Sequence, residues 1–168
     1  MFLSLWRTDG SVVATAFVDY RPPGVLVYRE LLVARPVRAG ATPAVRITDI
    51  WVDSESSRDG GRVLWAIPKE LATFTVDGDT WSMSVDGAPV ASASFHRGRR
   101  VPMPLPARFR ASQPREGSVV LTPVRGRARA TLASARWTFE GSAALAFLSG
   151  TRPFLSLVLT DFRISFGR

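Results

Sequence analysis

A single lysine, Lys69, stands among 22 basic residues, the other 21 being arginine. It lies in Leu64-Trp-Ala-Ile-Pro-Lys-Glu-Leu-Ala72, an otherwise apolar stretch. Arginine cannot replace lysine in amine chemistry, because the guanidinium stays protonated and is a poor nucleophile. A desolvated lysine can lose its proton, attack a carbonyl carbon and form a Schiff base. The competing reading is a side chain that snorkels to solvent. Other chemistry is scarce. There is no cysteine, which removes thiol nucleophiles, disulfides and cysteine metal sites, and the one histidine, His96, sits in Ser94-Phe-His-Arg97, which is no nucleophile elbow. Asp53-Ser-Glu-Ser-Ser-Arg-Asp59 lacks the glycine and terminal glutamate of a calcium loop and reads as a surface loop. No phosphate-cradling glycine motif is present, and no metal or cofactor is expected.

Four segments follow one another in order: Tyr28-Arg-Glu-Leu31, Ile47-Thr-Asp-Ile-Trp-Val-Asp-Ser54, Gly61-Arg62 and Ile67-Pro-Lys-Glu-Leu-Ala72. Together they resemble the motif series of the acetoacetate decarboxylase family, from Ala14 to Phe74. The resemblance implies a mainly β fold with one or two short helices, closed as an antiparallel barrel or cone around a reactive amine. Carried over residue by residue, Lys69 matches the Schiff-base lysine and Glu30 the pocket glutamate, a general acid–base. The other reading of Glu30 is a structural carboxylate paired with Arg29, Arg62 or another arginine. Gly61 and Arg62 match the family's Gly-Arg pair, expected in the turn that leads into the lysine segment. Trp65 and Arg29 are the candidate substrate-binding residues. The implied activity is that of a lyase acting on a ketone or keto acid, by decarboxylation or related aldol or dehydration chemistry. A tendency to oligomerise is a further implication. The alternative is a non-catalytic barrel for a small apolar carbonyl or lipid-like ligand, its cavity lined from the five Trp and ten Phe.

Two departures from the family pattern bear on the amine. Glu70 follows the lysine where the decarboxylases have a second lysine, and a nearby carboxylate favours the ammonium form. A reactive amine then requires desolvation by Leu64, Trp65, Ile67 and Leu71, or a Glu70 that points away. The family's amino-terminal arginine has no counterpart, and its further acidic position falls near Thr15.

The elements that must position these groups read mostly as strands. Alternation and turn residues predict strands over 11–19, 25–37 and 44–53, the last with Ile47, Asp49 and Trp51 on one face and Thr48, Ile50 and Val52 on the other. Asp77-Gly78 and Asp86-Gly87 predict hairpin turns. Residues 118–124, 128–139 and 154–166 read as further strands, 54–61 as a polar loop and 97–113 as an extended connection. Short helices are expected over 68–74, with Pro68 at its start, and over 142–149.

The 168 residues predict one domain, 1–168, and 46% hydrophobic content supports a packed core. The net charge of +8 comes from scattered arginines, densest at Arg97-Gly-Arg-Arg100 and Arg125-Gly-Arg-Ala-Arg129. These read as solvated loop charges without a nucleic-acid-binding signature. Met1 to Arg7 lacks the basic start and apolar stretch of a signal peptide, and no apolar run approaches the ~20 residues that span a bilayer. The expectation is a cytoplasmic protein with neither nucleic acid nor membrane as partner.

Overall fold

The computed structural model describes residues 1–8, 10–140 and 144–167. Eleven strands carry most of these described residues. They are β1 (Phe2–Thr8), β2 (Ser11–Tyr20), β3 (Tyr28–Ala39), β4 (Thr42–Val52), β5 (Lys69–Leu71) and β6 (Thr73–Asp77). The rest are β7 (Thr80–Val85), β8 (Ala88–Arg100), β9 (Leu105–Arg115), β10 (Ser118–Phe139) and β11 (Leu155–Phe166). Among the described residues one helix, α1 (Glu55–Trp65), joins β4 to β5, and one 3-10 turn spans Ala146–Leu148.

The strands form one sheet that returns on itself in the order β11-β1-β2-β3-β4-β9-β10-β11. All pairings in this ring are antiparallel except β4 with β9, joined in parallel at Val45 and Ala111. The 22-residue β10 serves two parts of the sheet. Its first half pairs with β9, its middle with β11, and its last third carries β8, β7 and β6 outward. Its packing face changes on the way: Thr122, Val124, Ala128 and Ala130 are buried, whereas Ala133, Ala135, Trp137 and Phe139 pack inward beyond them.

Strands β2 and β3 are covered on both faces, which explains their near-continuous apolar sequence. Val13, Phe17, Leu31 and Val33 join the large cluster with Phe2, Trp6, Trp81, Phe95 and Leu148. Ala14, Leu32 and Ala34 face a second, aliphatic cluster built with Ile47, Ile50 and Ile67. The aromatic rings expected to line a cavity mostly pack on one another. Phe17 stacks on Trp137 at 5.2 Å and 7° and meets Trp81 at 5.4 Å.

Local structure departs from the sequence reading in several places, each for a physical reason. Residues 54–61 form most of α1 rather than a loop. Residues 68–74 are extended, because β5 pairs in parallel with β4 from Ile50 to Val52. A register shift at Val33/Ala34 puts Ile47 and Ile50 in one cluster instead of on opposite faces. The Pro- and Arg-rich connection is largely β9, zipped to β10 from Leu105 to Arg115. Both arginine clusters lie in strands, β8 and β10, and not in loops. Strand β3 begins at Tyr28, three residues later than expected. Of the helix expected over 142–149, residues 142 and 143 lie outside the described residues; the rest supplies the 3-10 turn. Among the described residues no helix is long and apolar enough to cross a membrane.

Phe17 is fully buried at the centre of the aromatic cluster. Phe17→Ala is expected to cost about 3–5 kcal/mol in urea unfolding. A loss below ~1 kcal/mol would mean that this cluster is not the core that holds the ring closed.

Candidate active site

The site forms where α1, β3 and β5 converge on the aliphatic face of the sheet. Ser54 starts the helix: its extended backbone precedes the first turn, and its side chain accepts the Ser57 N–H at 3.2 Å. Glu55 in the first turn suits the helix dipole. Ala66 ends the helix in the left-handed region at φ 54°, and the Arg115 guanidinium donates to the Val63 carbonyl at 2.6 Å. Two interior glycines and three serine or aspartate residues make this a poor helix by propensity, so its caps and contacts must compensate.

Parallel pairing of β5 with β4 then fixes which way Lys69 points. Lys69 lies opposite Ile50 and projects to the buried face, while Glu70 projects to solvent. The lysine side chain is only 6% exposed. Its Nζ donates to Glu30 Oε2 at 3.0 Å, Ser57 Oγ at 2.9 Å and Tyr28 OH at 3.3 Å. Those are three acceptors for the three ammonium protons. Nζ also lies 4.9 Å from the centre of the Tyr28 ring. Tyr20 completes the cluster, its hydroxyl 3.4 Å from Glu30 Oε1 and its ring stacked on Tyr28 at 4.5 Å.

Gly61 explains the aliphatic stem. A Cβ at this position would stand 2.8 Å from Lys69 Cδ and 2.9 Å from Cε, too close for a real contact. The Gly-Arg pair therefore sits within the helix, where glycine makes room for the lysine. Arg62 donates through Nε to the Lys69 carbonyl at 2.7 Å and through a terminal nitrogen to Glu70 at 2.5 Å. Glu70 is thus paired outward and away from the amine. This exposed pair contributes little to stability.

The electrostatics follow from burial and proximity. Burial alone would depress the Lys69 amine, but the Glu30 carboxylate and Tyr28 outweigh it and hold the amine above the ordinary lysine value. Burial lifts Glu30 above the ordinary carboxylate value, and Lys69 offsets only part of that rise. Burial and the Glu30 charge also raise both phenols, Tyr20 well above the usual range. The geometry is that of an ammonium–carboxylate ion pair set among hydroxyl groups.

The structure brings Lys69 and Glu30 together, while Arg29 and Trp65 find other partners. Arg29 precedes Glu30 on β3 and so points to the opposite face, where it pairs with Asp53 at 3.5 Å. Trp65 belongs to the aliphatic cluster and packs on Phe166 at 5.3 Å. Of the residues expected to desolvate the amine, Leu64 and Leu71 are exposed and Ile67 is buried in that cluster. Thr15 faces the aromatic side and accepts the Trp6 indole N–H at 2.9 Å. Sequence reasoning gave no role to Tyr20, Tyr28 or Ser57. The available signals were the two-residue spacing of Tyr28 and Glu30 on one strand face and a serine three residues after a helix cap.

Two open grooves lie elsewhere. One, of about 480 Å³, runs between Thr42–Pro43 and the Arg108–Arg110 segment; the other, of about 470 Å³, surrounds the β9–β10 turn. Neither takes in a residue of the amine cluster.

Residues 5–161 match the family described as acetoacetate decarboxylase, and the chain belongs to that family. Among solved structures it is similar to acetoacetate decarboxylase from Legionella pneumophila subsp. pneumophila str. Philadelphia 1. That match has 16% identity and a TM-score of 0.68, covering 97% of this chain and 80% of the other. It is also similar to an acetoacetate decarboxylase-like enzyme from Sphingomonas wittichii RW1, at 11% identity and TM-score 0.60, covering 98% and 86%. A third similar structure is the enduracididine biosynthesis enzyme MppR, complexed with the condensation product of pyruvate and imidazole 4-carboxaldehyde. Here identity is 17% and the TM-score 0.55, covering 97% and 86%. At these identities the likeness to solved structures establishes the fold. Among curated proteins the sequence has no match.

The two helix glycines provide a matched test. Gly60 has open space where a Cβ would stand. Gly60→Ala is therefore expected to stabilise the protein by about 0.5–1 kcal/mol in urea unfolding. Gly61→Ala should displace the Lys69 stem and slow carbonyl trapping at the amine at least tenfold or so, without unfolding the protein. Equal trapping by Gly61→Ala and wild type would show that this contact does not position the amine.

Proposed function

We propose that this protein is a lyase-type enzyme that binds a ketone or keto acid covalently, as a Schiff base on Lys69. The observation that carries the reading is the buried Lys69 amine, with Glu30 3.0 Å away as proton acceptor. Membership in the acetoacetate decarboxylase family supports an enzymatic role. The condensation product held by the structurally similar MppR supports aldol-type chemistry on this fold.

Lys69 rests protonated, so reaction begins when the ammonium passes a proton to Glu30. The carboxylate suits that task because burial has already raised its proton affinity. The freed amine adds to the carbonyl carbon, and the carbonyl oxygen takes a proton. The carbinolamine hydroxyl then leaves as water, producing an iminium. Ser57 Oγ and Tyr28 OH hold the nitrogen in place through this sequence and are near enough to share protons with it. The iminium withdraws electrons from the adjacent bond, which permits loss of carbon dioxide, α-proton abstraction or carbon–carbon cleavage. Tyr20 steadies the second Glu30 oxygen.

Borohydride reduction in the presence of a carbonyl compound is expected to fix one adduct on Lys69, located by peptide mass analysis. Lys69→Arg should yield none. For an uncharged ketone the rate of trapping should fall on acidification as Glu30 gains its proton, at a pH above the ordinary carboxylate value of 4.5. Glu30→Gln should lose this acid limb and slow trapping by about 10²–10⁴. Failure to trap any of a broad panel of ketones, aldehydes and keto acids would refute the reading.

A further inference from the structure

The charges around Lys69 indicate the class of carbonyl compound that the site takes, an inference that rests on the Schiff-base reading. Lys69 carries the positive charge of the cluster and Glu30 the negative one, 3.0 Å apart and nearly inaccessible to water. The flanking arginines are committed elsewhere. Arg29 is turned to the other face of β3 and paired with Asp53; Arg62 holds Glu70 and the Lys69 carbonyl. The remaining groups at the pair are the hydroxyls of Ser57 and Tyr28 on the amine and of Tyr20 on Glu30. Among the described residues, then, the site is charge-balanced before substrate arrives.

Schiff-base formation preserves that balance only for some substrates. Overall, the ammonium and a carbonyl compound yield an iminium and water: the nitrogen retains one hydrogen, and two hydrogens leave with the carbonyl oxygen. The unit positive charge stays on the nitrogen, beside Glu30. If Glu30 next removes an α-proton, the iminium becomes a neutral enamine and the carboxylate a neutral acid, so the pair stays matched. A keto acid instead brings a second carboxylate into a buried space holding one cation. Two carboxylates sharing such a site cannot both remain ionised.

We propose that the Lys69 site selects an uncharged ketone or aldehyde, and that a keto acid forms the adduct only when Glu30 takes up a proton. The favoured reactions are those that proceed through the enamine without carbon dioxide loss, namely aldol or retro-aldol cleavage and β-elimination of water. The groups facing Glu30 are consistent with this linkage: Tyr20 from β2, Tyr28 from β3 and Lys69 from β5. From α1 the amine receives only the uncharged Ser57, while Arg58 pairs with Asp59 at the surface.

The test uses 4-oxopentanoate and its methyl ester, which share a carbon skeleton and a reacting carbonyl but differ in charge. Both are supplied in equal amount to the intact protein, borohydride is added, and the ratio of the two adducts is read by mass. Reduction of both compounds with a small free amine supplies the intrinsic ratio for comparison. At about pH 8 the ester adduct should exceed the acid adduct by more than about tenfold over that reference. The preference should shrink as the pH falls and Glu30 gains its proton. In Glu30→Gln it should reverse, since the substrate carboxylate becomes the counter-ion of Lys69. If that variant does not fold by circular dichroism, the wild-type pH series decides. An acid adduct equal to or above the ester adduct at about pH 8, relative to the reference, would overturn the selectivity and leave the Schiff-base reading standing. Absence of both adducts would remove that reading, and the selectivity with it.

Discussion

The Lys69–Glu30 pair is the constraint around which the site is built. Taking each of these ions out of water costs several kcal/mol, and their mutual attraction offsets this only where geometry is good and the remaining hydrogen-bonding groups are satisfied. Here every ammonium proton has an acceptor, and both carboxylate oxygens have a donor. A pair so satisfied is stable at rest but poised for proton transfer, because moving one proton from nitrogen to oxygen turns two buried charges into two neutral groups.

Holding the pair takes parts that are distant in sequence. The register of β2 with β3 sets Tyr20 opposite Tyr28 and Val18 opposite Glu30, so both phenols and the carboxylate share a face. The parallel pairing of β5 with β4 turns Lys69 toward that face and Glu70 away from it. Helix α1 closes the arrangement, with Ser57 at its first turn and Gly61 against the lysine stem. The same helix carries Arg62, which draws Glu70 outward, so one eleven-residue element both presents the amine and keeps the neighbouring carboxylate from it.

Much of the sheet was legible because alternation and Asp-Gly turns report local geometry directly. Strands β2 and β4 and the hairpins at Asp77-Gly78 and Asp86-Gly87 fall where these signals put them. Helix α1 was hidden, since serine, aspartate and glycine favour loops on their own and only its caps and its fit to Lys69 make the helix pay. Lys69–Leu71 was equally opaque: Pro68 suggests a helix start, and a three-residue parallel strand is visible only once β4 lies beside it. Arg29 and Trp65 stood close to the motif residues in sequence, but Arg29 points to the other face of β3 and pairs with Asp53, and Trp65 packs on Phe166 in the aliphatic cluster.

The amino-acid sequence by itself determined the chemistry on offer: one amine that arginine cannot imitate, a glutamate at the matching motif position, and a chain patterned for strands. Which groups surround that amine was decided by tertiary structure. A side chain's partners depend on strand register, on the face it occupies and on what packs over it, and these are set by contacts between residues distant in sequence, such as Tyr28 and Lys69, 41 positions apart. Charge balance is a property of such a neighbourhood and is not encoded at any one position.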